Sequence, residues 1–170
     1  MVIIVFGLPG SGKSYFASRL AKIITADYIN SDELRKELFK NSTYSTQEKA
    51  AVYNKMLAKM KEAVHQNRSI VLDATFHKNA TRKTFVKELN QKGGIDFIEV
   101  VADENITRER LTKERKFSEA NFEIYELIRQ QNEPLDAPHL ILKSTNNNID
   151  EMLQKATNYL KLKDDKRTDK

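Results

Sequence analysis

The stretch Val2-Ile-Ile-Val-Phe6, followed by Gly7-Leu-Pro-Gly-Ser-Gly-Lys-Ser14, decides the fold of this chain. The apolar run predicts a buried strand, and the next eight residues match the phosphate-binding loop rather than an ordinary glycine-rich turn. Glycines let the backbone curve around a triphosphate, whose charge is attracted by successive N–H groups and by the positive end of the following helix. Lys13 would reach the β- and γ-phosphates and take part in catalysis. We expect nucleotide contacts from Gly7, Pro9, Gly10, Ser11, Gly12, Lys13, Ser14 and Tyr15.

The composition of the 170 residues is that of one well-charged globular domain. Hydrophobic residues make up 39% and charged residues 31%, and no apolar run is long enough for a membrane span or a signal peptide. We therefore expect a cytoplasmic protein with no membrane partner. The absence of cysteine excludes disulfides and thiolate metal sites, and three scattered histidines argue against zinc. The net charge of +5 favours anionic partners without establishing nucleic-acid binding.

Strand-like and helix-like segments alternate along the chain. Strands are predicted at 2–6, 27–30, 69–73, 95–102 and 139–143. Helices are predicted at 13–24, 33–39, 46–66, 78–92, 105–117, 118–131 and 150–162, the second capped by Ser31 or Asp32. This alternation predicts a doubly wound α/β fold, a parallel sheet of about five strands with helices on both faces. Residues 1–162 would form the domain, with a lid at about 105–120, and residues 163–170 a charged, disordered tail.

Two aspartates follow strands, at the sheet edge where doubly wound folds bind ligands. Asp73 ends the third strand and is predicted to hold Mg²⁺ together with the Ser14 hydroxyl, although an Asp at a strand end is also common in turns. Asp32 follows the second strand and would accept the proton of an attacking hydroxyl. Arg35, one helical turn later, would bind a negative group of the acceptor. A helix cap and a surface arginine are the structural alternatives for this pair.

The segment between the fourth and fifth strands is rich in basic residues. Phosphoryl transfer depends on cationic groups that close over the migrating phosphate. We therefore expect a helical lid in which Arg110 and Arg115 are catalytic, with Arg108 a weaker candidate. Otherwise such a run forms a solvated face.

Other polar residues are assigned to the edges of the site. Thr75 and His77, in the loop after the third strand, are predicted to line the acceptor pocket, although a lone loop histidine is more often simply exposed. Arg82, on the next helix, faces either the phosphates or solvent. Residues 146–148, all asparagine, lie where an adenine would rest.

Four motifs together resemble the small phosphate-loop kinases related to phage polynucleotide 5′-hydroxyl kinase and to zeta-toxin-type kinases. They are the loop at 7–14, Ser-Asp-Glu-Leu-Arg at 31–35, Val-Leu-Asp-Ala-Thr-Phe at 71–76, and the Arg-rich stretch ending Phe-Ser-Glu-Ala-Asn at 117–121. Such proteins are often labelled ATP-binding proteins or AAA-family ATPases. The resemblance extends from Met1 to about Leu160. It implies that Asp32 is the general base and that Arg35 binds an acceptor phosphate.

These observations predict an ATP- and Mg²⁺-dependent phosphotransferase that moves the γ-phosphoryl group to a hydroxyl. The acceptor stays open among a polynucleotide 5′-hydroxyl, a nucleoside or nucleotide, a sugar and another small metabolite. The basic and aromatic interleaving that tracks a single nucleic-acid strand is not evident in the sequence. The alternative is a nucleotide-gated binding module that hydrolyses ATP slowly and acts on a protein partner.

Overall fold

The computed structural model describes residues 1–89, 94–112 and 121–168, and its centre is a parallel sheet of five strands. The strands lie in the order β2-β3-β1-β4-β5, and each neighbouring pair is parallel. Their bounds are β1 Val2–Phe6, β2 Asp27–Asn30, β3 Ile70–Asp73, β4 Ile95–Val101 and β5 Leu140–Lys143. β1 lies in the middle, so its five buried apolar residues are covered on both faces.

Helices cover both faces of this sheet. They are α1 Lys13–Ile23, α2 Ser31–Leu38, α3 Thr46–His65, α4 Asn79–Leu89, α5 Glu104–Thr112, α6 Phe122–Gln131 and α7 Ile149–Thr168. Because side chains alternate along a strand, Val2, Ile4 and Phe6 pack with residues of α2, α3 and α4, whereas Ile3 and Val5 pack with α1 and α7. The predicted doubly wound α/β fold is confirmed.

Some helix ends differ from the sequence prediction. α2 begins at Ser31 and is capped by the Asn30 side chain, so neither Ser31 nor Asp32 is its N-cap. α6 begins at Phe122, with Asn121 as its cap. α7 continues to Thr168, past 162 and into the segment predicted as a tail, because neither Gly nor Pro interrupts residues 160–168.

The strand register brings the candidate residues to one edge. Asn30 is paired with Asp73, and Asp73 with Val5, so the carboxyl ends of β2, β3 and β1 lie side by side next to the phosphate loop. Among the described helices, none combines the length and apolar character needed to cross a membrane.

Candidate functional site

The phosphate loop, residues 7–14, has a backbone that only glycine suits at three positions, Gly7, Gly10 and Gly12. Gly10 and Gly12 have φ values of +78° and +89°, in the region that L side chains avoid. Space is limiting as well, because a Cβ at Gly12 would lie 2.8 Å from Ser144 Oγ and one at Gly10 would lie 2.9 Å from Thr107 Cγ2. The glycines therefore allow α5 and the turn after β5 to pack directly against the loop.

Hydrogen bonds from Arg110 stabilise this packing. Its Nη1 donates to the Ser11 carbonyl at 3.1 Å and to Ser144 Oγ at 2.8 Å, and its Nη2 donates to the Thr145 carbonyl at 2.8 Å. Arg110 also contacts Asn146 Oδ1 at 3.3 Å. α5 lies against the loop and directs the guanidinium to these oxygens, and Arg110 also lines the cavity beside Lys13. Its predicted catalytic role stays a prediction.

A cavity of about 800 Å³ opens beside the N-terminus of α1, within the ~300–1,000 Å³ typical of small-molecule sites. It is lined by five of the predicted nucleotide residues, Gly10, Gly12, Lys13, Ser14 and Tyr15. The other three, Gly7, Pro9 and Ser11, are buried within the loop. The first turn of α1 carries no acidic residue, so its positive end remains available to an anion.

The far end of the same cavity is formed by the β5–α7 turn and by α7. Thr145, Asn146, Ile149 and Met152 line it. Asn148 shapes the turn, because its Oδ1 accepts from the Thr145 amide at 2.8 Å and its Nδ2 donates to the Lys143 carbonyl at 2.9 Å. A polar turn beside apolar side chains suits a nucleobase, in the place predicted for adenine.

Asp73 is fully buried at the end of β3. Its Oδ2 accepts hydrogen bonds from the Tyr28 hydroxyl at 2.7 Å and from Asn30 Nδ2 at 2.5 Å. Its Oδ1 has no hydrogen-bonding partner among the described residues. Burial raises the pKa of the Asp73 carboxyl, against the opposing effect of Lys13. The carboxylate is thus held from one side, with one oxygen left for a ligand.

The donor set fits Mg²⁺. A free carboxylate oxygen near the Ser14 hydroxyl, which accepts from Asn30 Nδ2 at 3.3 Å, is the kind of oxygen site that hard cations prefer. Within residues 1–89, 94–112 and 121–168, no three His, Cys, Asp or Glu side chains converge to form a protein-only metal cage. Mg²⁺ is usually held by few carboxylates, with phosphates and water completing its shell.

Asn30 connects the predicted metal ligand Asp73 to the predicted general base. Its Oδ1 accepts from the amides of Asp32 and Glu33 at 2.9 and 3.0 Å, while its Nδ2 donates to Asp73. Asp32 is therefore not needed as a helix cap, and it lines the same cavity as Lys13. The structure brings the predicted base, the phosphate-binding lysine and the predicted metal ligand to one place.

Arg35 is buried rather than on the surface, with 7% exposure. Its Nη1 lies 3.6 Å from Glu48 Oε2, and its guanidinium lies 4.6 Å from the centre of the Tyr44 ring. Neither Nε nor Nη1 has a hydrogen-bonding partner in the described part of the chain. Buried donors are normally satisfied, so this arginine is suited to binding an anion.

Glu48 holds the loop that carries Tyr44. Its carboxylate accepts from the amides of Thr43 and Tyr44 and from the hydroxyls of Ser42 and Thr43, all between 2.8 and 3.0 Å. These hydrogen bonds, first of all the one from the Thr43 amide, lower the pKa of Glu48 to about 2. Residues 42–44 are thereby fixed over Arg35.

Thr75 and His77, the other predicted acceptor residues, lie around Tyr53. The Tyr53 hydroxyl is 3.5 Å from Thr75 Oγ1, which is 3.4 Å from His77 Nδ1. Burial raises the pKa of Tyr53, and Asp32 and Arg35 are close enough to act on it with opposite signs. Burial, Lys78 and Lys49 lower the pKa of His77, so its imidazole is neutral at pH 7. Asp32 lines the cavity, whereas Arg35, Thr75 and His77 are not among the described residues that line it. Their role in acceptor binding stays a prediction.

The remaining candidate cations are outside this group. Arg82 is 2% exposed and faces neither phosphates nor solvent, since its guanidinium donates to carbonyls of Phe76 and Pro134. Arg108 is exposed and pairs with Glu104 at 3.1 Å. Arg115 lies outside the described residues, and its catalytic role stays a prediction.

Sequence reasoning missed Tyr28, Asn30, Glu48 and Tyr53. The first two lie two positions apart at the end of a strand, so their side chains share the face beside Asp73, and this spacing is visible in the sequence. Glu48 stands three residues after Ser45, where it signals a helix start. Tyr53 belongs to an apolar helix stripe and carries no such signal.

A family model described as AAA domain (AAA_33) matches residues 2–138. A probable adenylyl-sulfate kinase from Aeropyrum pernix is 24% identical over 159 residues, covering 88% of this chain and 86% of that protein.

Two solved structures have the same fold. A sugar kinase from Janibacter sp. HTCC2649 gives a TM-score of 0.70 at 15% identity, covering 94% of this chain and 93% of that chain. The Mycobacterium tuberculosis APS kinase, in complex with AMPPNP and APS, gives 0.69 at 18% identity, with 94% and 97% covered.

Proposed function

The chain belongs to the family described as AAA domain (AAA_33), and we propose that it is an ATP- and Mg²⁺-dependent kinase that phosphorylates a hydroxyl. The observation that carries this proposal is a single cavity lined by both Lys13 and Asp32, with Asp73 buried next to Asn30, which also lines it. A phosphate-binding cation and a carboxylate beside the acceptor position are what transfer to a hydroxyl requires. The relatives named as kinases support the same class.

In this proposal the phosphate loop and Lys13 hold the triphosphate. Ser14 and Asp73 Oδ1 would hold Mg²⁺, which supplies charge neutralisation at the phosphate oxygens when bound. Tyr28 and Asn30 orient Asp73 by occupying its other oxygen. Arg110 contributes indirectly, since it fixes the loop carbonyls and the β5–α7 turn. Contact with the migrating phosphoryl group is proposed for Arg115.

On the acceptor side, Asp32 takes the hydroxyl proton as the acceptor oxygen bonds to the γ-phosphorus and the bond to the leaving ADP breaks. Arg35 offers two buried donors one turn beyond Asp32. We therefore place an anionic group of the acceptor at Arg35, with Thr75 and His77 contacting its polar parts. The APS kinase and the sugar kinase show that this fold serves both anionic and neutral acceptors.

The test is transfer of label from γ-labelled ATP to a panel of acceptors. The panel contains 5′-hydroxyl oligonucleotides, nucleosides, adenylyl sulfate, sugars and sugar phosphates, with Lys13→Ala as the inactive control. We expect acceptor-dependent transfer, strongest for a small acceptor with an anionic group. ATP turnover that no acceptor changes, with a protein partner captured only in the ATP-bound state, would instead identify the nucleotide-gated module.

A further inference from the structure

The β3–α4 loop, residues 74–78, contains a residue in an unfavourable backbone conformation. Phe76 has a φ of +43°, which is uncommon for any residue other than glycine. Its ring is fully buried and makes edge contacts with Tyr53 and Phe85, at centroid distances of 5.2 and 5.1 Å. Such a conformation persists only where the surroundings hold it in place.

Both backbone polar groups of Phe76 are held by side chains. Its amide donates to the Tyr53 hydroxyl at 3.2 Å, and its carbonyl accepts from Arg82 Nη1 at 2.8 Å. Tyr53 belongs to α3 and Arg82 to α4. Because Thr75 and His77 flank Phe76, the direction of both side chains depends on these two hydrogen bonds.

Arg82 also joins the loop to the segment at residues 132–136, which follows α6. It donates to the carbonyls of Glu133 and Pro134. From that segment, the Glu133 amide donates to the His77 carbonyl at 2.9 Å, and Glu133 Oε2 accepts from the Asn79 amide at 2.7 Å. Several hydrogen bonds thus join residues 132–136 to the β3–α4 loop, residues 74–78, which we call the acceptor loop.

Burying the Arg82 guanidinium costs free energy that an apolar side chain in the same place would not cost. The guanidinium is buried, and its hydrogen bonds within the described chain go to the uncharged oxygens of Phe76, Asn79, Glu133 and Pro134. A buried cation without a bonded carboxylate costs more than an apolar side chain of similar size. The planar fork does, however, supply donors to several carbonyls at fixed directions.

We propose that Arg82 is a positioning residue for acceptor binding, joining the acceptor loop to the 132–136 segment so that the two move as one unit. The effect on acceptor binding rests on the proposed kinase function, whereas the joining of the two segments does not.

Hydrogen exchange read by mass spectrometry tests the joining without an acceptor. Arg82→Gln is expected to speed amide exchange at least about tenfold in residues 74–79 and 132–136, because hydrogen bonds to both segments are lost. Tyr53→Phe should speed exchange in 74–79 alone. Arg68→Gln is the control, since Arg68 pairs with Asp27 at the opposite end of the strands. Unchanged exchange in 132–136 of Arg82→Gln would overturn the proposal.

Kinetics with an acceptor found by the labelled-ATP panel test the functional part. Arg82→Gln should raise the acceptor KM about tenfold or more and leave the ATP KM within about twofold, with partial recovery in Arg82→Lys. Equal increases in both KM values, or faster exchange throughout the core, would reduce Arg82 to a stabilising residue and overturn the proposal. If the wild type phosphorylates no acceptor, the proposed function fails, and the exchange in 132–136 alone decides whether the joining stands.

Discussion

The proposed phosphate side and the proposed acceptor side of the site are built in different ways. The phosphate side consists of consecutive residues, 7–14, and uses backbone groups together with Lys13 and Ser14. The acceptor side combines Asp32 and Arg35 of α2, Tyr53 of α3, and residues 75–77 of the β3–α4 loop. Backbone recognition of phosphate depends on the loop shape, whereas side-chain recognition depends on each residue. Nucleotide binding should therefore tolerate changes that alter the acceptor.

The two sides also differ in how their cations are held. The first turn of α1, which carries Lys13, contains no acidic residue. Arg35 is buried beside Glu48 and under the Tyr44 ring. A ligand on the phosphate side meets a half-buried lysine that lines the cavity, while a ligand on the acceptor side must fit around donors that are already fixed.

The largest expected effect separates the two sides most directly. Asp32→Asn should reduce transfer by about 10²–10⁴-fold, because the acceptor hydroxyl loses its general base. ATP-dependent thermal stabilisation should be unchanged, since Asp32 makes no contribution to the phosphate loop.

Lys13→Ala is the matched variant on the phosphate side, and it should lose both transfer and ATP stabilisation. Transfer at the wild-type rate by Asp32→Asn would show that another group takes the proton. Equal loss of ATP stabilisation in both variants would show that the two sides do not function separately.

Asp73→Asn tests the boundary between the sides. The Asn amide oxygen can accept from Tyr28 and Asn30 as Oδ2 does, but the anionic ligand for Mg²⁺ is lost, so transfer should fall about 10²-fold or more. Burial raises the pKa of Asp73. In the ligand-free protein, the stabilising contribution of the Asp73 carboxyl is therefore fully present below its unfolded pKa, and it is lost as pH rises through the folded pKa.

Thermal melts of ligand-free and MgATP-bound protein between pH 4 and 8 measure both effects. The substituted ligand-free protein should have the higher Tm at neutral pH and should gain little from Mg²⁺. A lower Tm for ligand-free Asp73→Asn at pH 7 would show that the ionised carboxylate stabilises the fold, contrary to this account.

Arg35→Lys should affect the acceptor side alone. Lysine keeps the charge but lacks the forked donors, and a lost charge-assisted hydrogen bond is worth about 10–100-fold in affinity. The acceptor KM should rise by that amount for an acceptor with an anionic group, with little change in the ATP KM. Arg68→Lys, far from the cavity, is the control. A similar loss with neutral and anionic acceptors would argue against an anion at Arg35.

The phosphate side is one continuous motif and the acceptor side is assembled from separate segments, and this difference explains which features the sequence predicts. Residues 7–14 carry their chemistry in one continuous motif, and the alternation of strands and helices placed Asp32 and Asp73 at the same sheet edge. The joining of α5 to the loop through Arg110 depends on contacts about one hundred residues apart in the chain, which no local pattern records. The sequence does not predict the orientation of Arg82 for the same reason, because its partners at 133–134 lie beyond a strand and two helices.

The N-cap of α2 is a second feature that the sequence alone does not determine. Three neighbouring residues, Asn30, Ser31 and Asp32, are all good helix caps by residue type. The choice among them depends on where β2 ends, and only the pairing of Asn30 with Asp73 determines that position. Once Asn30 takes the cap, Asp32 is available to the cavity.

Glu48→Gln should give the smallest effect, because it alters the support of the acceptor side and none of its reacting groups. Backbone amides and hydroxyls of residues 42–44 lower the pKa of Glu48 to about 2, from an ordinary value of 4.5. A lowered folded pKa means that the ionised carboxylate stabilises the fold above pH 4.5, and that this contribution is lost as pH falls toward about 2. Glu48→Gln should therefore have a lower Tm at pH 7 and a Tm that approaches wild type near pH 2. Glu37→Gln, on the exposed side of α2, should match wild type throughout.

Because the same carboxylate holds Tyr44 over Arg35, Glu48→Gln should also raise the acceptor KM modestly without changing the ATP KM. A Tm difference that is the same at pH 2 and pH 7 would mean that the Glu48 charge does not hold this loop.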